Sequence, residues 1–393
     1  MGVMDAMTRT MRRRTLCWRA TRTAAALLGA PALTACGTAG VSGGAGGAAA
    51  VLYVANGLDG TVSRVDAQTG RLTGPPFPAG PAPAQLVAGP GGTLVVLPAG
   101  GPEWRLSHVT PSRVSATVRA LPLEPGGSGG RLIGDDQGGA MLLYHLAVET
   151  PEGRTLVCRL ALLDVSRGAL ERTHTVCATP DIVVDAALEA GPPGPVAYLA
   201  VERPTAFLAG QWRPGSGRVL AVDAQTGAGL GVAVLPGPPA WLRLAPAPGP
   251  GGQLLYCLVG GPGSGGDPAA HSDPVAGGPW RLLGLDPLTL RVEREHILPR
   301  PLRALGVASD GSAGYAFDAL LEREVVRLDL RTGGTRRLAL LPRAGADLVV
   351  TRERLYVADR SAAVWAIDRH GGALAQTIGV GRGAVGLALS RPA

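Results

Sequence analysis

Six polar or aromatic side chains recur at equivalent places in the sequence and have types that suit a binding site. Each stands just before an apolar run that we assign to the innermost strand of a repeated β-sheet unit, so all six should converge on one opening. They are Gln85, Arg131, Asp181, Trp241, Arg303 and Asp347, with Val385 at the seventh such position. Amide, guanidinium, carboxylate and indole groups around one opening are typical of a site for a small polar or anionic ligand.

A purely structural role for these six residues is the alternative. Arg131 could pair with Asp181 of the next unit, and Arg303 could pair with Asp347 in the same way. Such ion pairs would fasten neighbouring units together and close the opening without binding anything. The sequence leaves both interpretations open.

Aromatic residues make up only 4% of the chain, and several of them occur near long connections. Trp104, Trp212 and Trp280 are each followed by arginine, and Phe207 lies close to the second pair. An indole beside a guanidinium can stack on a sugar, an aromatic ring or a peptide. The alternative is that these aromatic residues cap the outer edges of the sheet units against their own loops.

The residue patterns of common catalytic and metal sites do not occur in this sequence. The six histidines are scattered without metal-ligand spacing, and no Gly-x-Ser-x-Gly nucleophile motif or phosphate-binding glycine loop is found. We therefore predict no metal site, no cofactor and no catalytic residues. Cys158 and Cys177 flank a predicted turn symmetrically, so a disulfide between two neighbouring strands is possible in an oxidising compartment.

The elements that must position these residues are short strands separated by a recurring turn. The turn begins with aspartate and commonly ends with glycine, which suits a tight hairpin because aspartate binds backbone N–H groups and glycine accepts a positive φ. Its copies start at Asp66, Asp164, Asp223, Asp286, Asp329 and Asp368, with a degenerate copy at 108–112. The copies are roughly 40 to 60 residues apart, a spacing typical of four-stranded propeller blades.

The repeats resemble the YVTN-type, WD40-like repeats of bacterial surface and periplasmic propellers. Residues 52–56 (LYVAN) and 355–359 (LYVAD) carry this resemblance most clearly. We predict an all-β fold for residues 51–393, a seven-bladed β-propeller of four-stranded antiparallel blades. The C-terminal run at 385–389 should close the ring by completing the N-terminal blade. A six- or eight-bladed ring and a β-solenoid are the alternatives.

The N-terminal residues have the pattern of an export signal. Six arginines precede an apolar run at 23–35, which is too short to span a bilayer. The run ends in Leu-Thr-Ala-Cys and resembles the lipobox of bacterial lipoproteins, which implies that residues 1–35 form a cleaved signal peptide and that Cys36 is lipidated. Residues 36–50 then comprise the acylated cysteine and a flexible glycine- and alanine-rich tether. Export by the general or the twin-arginine route stays open.

Charge and loop lengths complete the prediction of function. Five of the seven net positive charges belong to the signal peptide, so the composition gives no support for nucleic-acid binding. Two long connections, 202–217 and 259–279, and the shorter one at 146–154 should lie on the same face as the six-residue opening. We predict a module in the cell envelope, extracytoplasmic and anchored to the membrane by lipid, that binds or scaffolds a small molecule, glycan or envelope protein. The alternative is a propeller enzyme of the lactonase or lyase type.

Overall fold

The computed structural model shows an all-β chain. It describes residues 50–390 except for 90–91, 100–105, 112–115, 122–123, 125–126, 135–138, 152, 191–193, 204–205, 209–210, 214–215, 249–251 and 261–278. The predicted signal peptide, Cys36 and the tether lie outside these residues, except for Ala50. No helix capable of crossing a bilayer occurs in the described part of the chain.

Seven four-stranded antiparallel sheets form the seven blades of a propeller, which confirms the predicted fold. Blade 1 contains β1 (Val51–Asn56), β2 (Thr61–Asp66), β3 (Phe77–Pro78) and β30 (Ala384–Ser390). Blade 2 contains β4 (Pro83–Ala88), β5 (Leu94–Pro98), β6 (Leu106–Pro111) and β7 (Ala116–Leu121). Blade 3 contains β8 (Gly127–Gly134), β9 (Gly139–Thr150), β10 (Gly153–Asp164) and β11 (Ala169–Ala178).

The remaining four blades follow in chain order, and blade 4 carries a separate two-stranded hairpin, β14 (Ala206–Leu208) and β15 (Gln211–Arg213). Blade 4 contains β12 (Ile182–Glu189), β13 (Val196–Arg203), β16 (Ser216–Asp223) and β17 (Gly229–Leu235), and blade 5 contains β18 (Pro239–Pro246), β19 (Gln253–Val259), β20 (Trp280–Leu285) and β21 (Val292–Leu298). Blade 6 contains β22 (Leu302–Val307), β23 (Ala313–Asp318), β24 (Glu324–Asp329) and β25 (Thr335–Leu340). Blade 7 contains β26 (Asp347–Val350), β27 (Arg354–Ala358), β28 (Ala363–Asp368) and β29 (Leu374–Gly379).

The C-terminal strand closes the ring as predicted. Strand β30 pairs with β1 from Val51 opposite Ser390 to Asn56 opposite Ala384, and it supplies the innermost strand of blade 1. The two ends of the described chain therefore meet inside one sheet. An unpaired edge on β1 is removed by this closure.

The aspartate turns join the third and fourth strands of the blades. Asp66 Oδ1 accepts hydrogen bonds from the backbone N–H groups of Gln68 and Thr69 at 2.9 and 2.7 Å, and Gly70 follows with φ of 70°. The aspartates at the other five turns accept backbone N–H groups in the same manner, as at Asp223 and Asp329. These bonds satisfy backbone donors that a tight turn leaves without partners.

Apolar side chains fill the spaces between consecutive blades, so the core is a ring of clusters rather than one central mass. All six tyrosines of the chain lie in the second strand of a blade, where each ring is buried. They are Tyr53, Tyr144, Tyr198, Tyr256, Tyr315 and Tyr356. Burial raises the pKa of Tyr256 to about 12. The repeated tyrosine marks the blade period in six of the seven units.

Histidines also fasten neighbouring blades near their outer edges. An imidazole Nε2 of one blade meets a turn carbonyl of the next: His108 meets Val165 O at 2.9 Å, and His174 meets Gln225 O at 2.8 Å. His296 meets Leu330 O at 3.2 Å in the same way. These contacts assign a structural role to three of the six histidines.

Candidate functional site

The innermost strands surround the axis of the propeller, and most of them contain a β-bulge. Bulges occur in the pairing of six innermost strands with their neighbours, for example between Val183 and Asp185 and between Arg303 and Leu305. A bulge adds a residue to one strand and changes which side chain faces inward. The six predicted residues have different partners in different blades.

Gln85 and Asp347 each form hydrogen bonds with backbone groups of the next blade. Gln85 Oε1 accepts the N–H of Leu132 at 2.8 Å, and its Nε2 donates to Gly130 O at 3.1 Å. Asp347 Oδ2 accepts the N–H of Leu387 on the closing strand at 2.8 Å. The side chains therefore satisfy backbone groups of the adjacent blade.

Asp185, which the sequence analysis did not select, binds groups of both neighbouring blades. It is fully buried; its Oδ2 accepts the N–H of Leu242 in blade 5 at 2.8 Å, and its Oδ1 lies 2.7 Å from Arg131 Nε in blade 3. One carboxylate thereby joins three consecutive blades. The sequence signal for it was a single acidic residue inside the apolar run 182–188.

Arg131 and Trp241 form a cation–π pair between blades 3 and 5. The Arg131 guanidinium carbon lies 4.7 Å from the centre of the Trp241 ring, although the two residues belong to blades 3 and 5. Arg131 Nη1 also donates to Val184 O of the intervening blade at 3.2 Å. Burial lowers the pKa of Arg131 to about 10, while Asp185 acts in the opposite direction, so the guanidinium stays charged at neutral pH. Residues of three consecutive blades therefore meet at Arg131.

Asp181 and Arg303 have other partners than those suggested by the sequence. Asp181 binds Arg203 at 2.7 Å and also Arg218, both within its own blade, so it does not pair with Arg131. Arg303 is buried, donates through Nη2 to Gly345 O at 2.7 Å, and does not form the expected pair with Asp347. Both predicted pairs are therefore wrong, because Asp181 precedes β12 and the acidic residue that meets Arg131 is Asp185, inside that strand. Arg131 does form an ion pair with the next blade.

Buried carboxylates of the innermost strands are satisfied by protein groups, but several buried donors are not. Among the described residues of these strands, the buried donors without a hydrogen-bond acceptor are Arg131 Nε and Nη2, Trp241 Nε1 and Arg303 Nε, although Arg131 Nε lies 2.7 Å from Asp185 Oδ1 as an ion pair. No group of three or more histidine, cysteine or acidic side chains suited to a metal ion occurs in the described part of the chain. The described polar residues of the innermost strands chiefly connect neighbouring blades through hydrogen bonds and ion pairs.

The predicted rim aromatics are only partly described. Trp280 begins β20 and packs against the core cluster that extends over blades 5 to 7. The backbones of Phe207 and Trp212 lie directly opposite each other in β14 and β15. Trp104 lies outside the described residues. A ligand role for these aromatic residues stays a prediction.

Two of the three predicted connections are hairpin extensions on the face that carries the channel mouth. In blade 3, β9 and β10 remain paired up to Thr150 and Gly153, so 146–154 is mainly strand instead of loop. In blade 4, β13 and β16 pair up to Arg203 and Ser216, and β14 and β15 continue beyond them. Most of the third connection, 261–278, lies outside the described residues. Adjacent blades 3 and 4 thus carry extensions on the same face.

Cys158 and Cys177 lie directly opposite each other on β10 and β11, which confirms the predicted register. Both are free thiols in the structure, as is Cys257. A hydrogen bond between the two thiols lowers the pKa of Cys177 and raises that of Cys158. Cys177 is therefore the thiol of the pair that ionises more readily.

We expect this pair to be a disulfide in the protein taken from an oxidising compartment. Thiol titration of the unfolded, unreduced mature protein should then find one free thiol, that of Cys257, because Cys36 is expected to be lipidated. A Cys177→Ala variant should show two. Three free thiols in the unsubstituted protein would contradict the disulfide prediction.

Comparison with known proteins supports the fold alone. The chain matches no family model and no curated protein sequence. The hydrazine synthase of Kuenenia stuttgartiensis superposes with a TM-score of 0.55 at 14% identity, over 82% of this chain and 93% of that one. Apo AztD from Citrobacter koseri gives 0.52 at 15% identity, over 88% and 99%. Dihydro-heme d1 dehydrogenase NirN gives 0.51 at 12% identity, over 86% and 74%.

Proposed function

We propose that this chain is a lipid-anchored, extracytoplasmic binding module that holds a protein partner on the face bearing the hairpin extensions of blades 3 and 4. The proposal is carried by the asymmetry of that face. The hairpins between the second and third strands are short in blades 1, 6 and 7, as at Asn56 opposite Thr61, but those of blades 3 and 4 continue well past the innermost strands. Connections that project from a rigid scaffold commonly bind partners.

The chemistry of the extension supports a macromolecular partner. Glu149 and Arg154 near the tip of blade 3 expose 80% and 68% of their side chains, so they can meet a polar partner surface without rearrangement. The channel supports a small ligand less well, because Gln85, Asp185 and Asp347 already bind backbone groups of neighbouring blades. This difference favours the rim over the channel and a binding role over the alternative enzymatic one.

Site-specific photo-crosslinking in cells tests this function. A photoreactive residue at Arg154 should give an adduct with one defined protein, whereas the same residue at Leu288, 90% exposed on a turn at the opposite face, should not. Adducts at both positions, or at neither, would contradict the proposal.

A shortened hairpin provides the matched structural control. Arg203 and Ser216 are paired, so a two-residue turn can replace 204–215 while the four strands of blade 4 remain. This variant should keep its thermal unfolding temperature and lose the Arg154 adduct about tenfold, since its partner surface spans both blades. An unchanged adduct would show that blade 4 takes no part in binding.

The anchor has an independent test. The resemblance to YVTN-type repeats and the lipobox-like sequence support a location at the cell envelope. A Cys36→Ser substitution should abolish incorporation of labelled fatty acid and move the chain out of the membrane fraction. Retained labelling would contradict lipidation at Cys36 without affecting the assignment of the binding face.

A further inference from the structure

Strand β17, the outermost strand of blade 4, has an uncharged and apolar exposed side. Leu230, Val232 and Val234 expose 57%, 59% and 79% of their surface. They alternate along the strand, so their side chains lie on one face. The strand pairs with β16 on one side, and no described strand pairs with its other edge. Its outer backbone groups and its apolar row are both available to a partner.

The apolar row extends a cluster that is buried further in. Val232 lies opposite Leu220 of β16, and Leu220 packs on the core between blades 3 and 4. The alternate residues face blade 5, since a side chain added at Gly231 would meet Leu290 there at 3.3 Å. The exposed valines and leucine therefore continue the core of the blade 3–blade 4 interface to the surface, where nothing described covers them.

The other outer strands carry features that discourage edge pairing. Short length, proline, and charged or polar side chains all prevent unwanted strand addition. Strand β3 has two residues and contains a proline, and β29 has glutamine and threonine instead of charges. The charged residues of the remaining four outer strands are Arg119 on β7; Glu171 and Arg172 on β11; Glu293, Arg294 and Glu295 on β21; and Arg336 and Arg337 on β25. Strand β17 has neither charge nor proline over Gly229–Leu235.

We propose that β17 is a self-association edge, at which two copies of this chain pair β17 with β17 in antiparallel orientation. Charge selects this occupant: four of the other outer strands would place charged groups beside the apolar row, whereas a second β17 brings none. A two-fold axis at Val232 sets Leu230 of one copy opposite Val234 of the other, so all three exposed side chains gain a partner. A shift of two residues would leave part of the row uncovered.

The pairing joins the two blades into one eight-stranded sheet. Backbone N–H and C=O groups at the free edge then exchange water for partner groups, and the apolar row is covered at the same time. The proposal uses a different surface from the hairpin extensions, so it stands independently of the proposed function. Loss of the dimer and loss of the Arg154 adduct can be measured separately.

Disulfide trapping of the full chain in its own membrane tests both the contact and the register. Residues opposite each other in an antiparallel pair have Cα atoms about 4.5 to 5.5 Å apart, which is within the range for a disulfide. A Val232→Cys chain should therefore form a covalent dimer on mild oxidation. Ile297→Cys on β21, 64% exposed but on a strand that carries charged residues at 293–295, is the matched control and should form about tenfold less.

Mixed variants determine the register. Leu230→Cys and Val234→Cys chains produced together with different tags should crosslink to each other, while either alone should not, because identical residues would then lie several residues apart across the pair. A Val232→Lys chain tests the contact without crosslinking: it should lose co-purification of the two tagged copies about tenfold and retain its unfolding temperature. Equal crosslinking at 232 and 297, or tagged copies that still co-purify with lysine at 232, would overturn the proposal.

Discussion

An Asp185→Ala variant is expected to lose about 3 to 5 kcal/mol of unfolding free energy, the cost typical of breaking a buried ion pair from one side. The carboxylate lies 2.7 Å from Arg131 Nε and accepts the N–H of Leu242, and it is fully buried. Alanine leaves a buried guanidinium without its counter-charge and a buried backbone donor without its acceptor. Urea denaturation followed by tryptophan fluorescence measures the loss.

Asp181→Ala is the matched control for this substitution. Asp181 also binds two arginines, but one of them, Arg203, exposes half of its side chain, and both belong to the same blade. Exposed ion pairs contribute little, so we expect a cost of about 1 kcal/mol. An Asp185→Leu and Arg131→Met double variant should recover much of the stability, since it removes both buried charges together. Equal costs for Asp181→Ala and Asp185→Ala would show that the contacts of Asp185 with the neighbouring blades are unimportant.

These two aspartates also show where sequence reasoning reached its limit. The turn aspartates and the apolar runs are local signals, so they predicted the seven blades and their closure correctly. The residue of blade 4 that meets Arg131 lies inside the apolar run 182–188. Choosing the residue that precedes each apolar run therefore selects Asp181, which precedes β12, and misses Asp185, four residues later in that strand.

Contacts between blades that are not consecutive in the chain could not be predicted from the sequence either. Arg131 and Trp241 were both chosen as channel residues, yet their stacking requires the ring geometry that brings blades 3 and 5 together. The tyrosines could have been used, because an apolar residue or glycine precedes tyrosine in the second strand of six blades, as at Leu52-Tyr53 and Leu143-Tyr144. That pattern would have located the second strand in the middle repeats, where the turn sequences alone define the strand order poorly.

Removal of the closing strand is expected to have the largest effect on the molecule. A chain ending at Gly383 lacks β30, so β1 loses six paired positions and blade 1 retains only three strands. Asp347 Oδ2 then loses the N–H of Leu387, which is its link from blade 7 to blade 1. Both edges of the opened ring expose apolar surface that blade packing normally covers. We expect no cooperative thermal unfolding and a large fraction of aggregated protein, measured by calorimetry and by size-exclusion chromatography.

A permuted chain separates the loss of the strand from the loss of the closure that it provides. Residues 384–390 can be joined ahead of Val51 through a short turn, because Ser390 and Val51 are opposite each other in the native pairing. This chain keeps all four strands of blade 1 but connects them consecutively, so no strand from the C-terminus locks the ring. It should fold and unfold cooperatively at a lower temperature than the native order. Only non-covalent contacts between blades 7 and 1 then close the ring. If the truncated chain unfolded like the native one, β30 would have no part in holding the ring together.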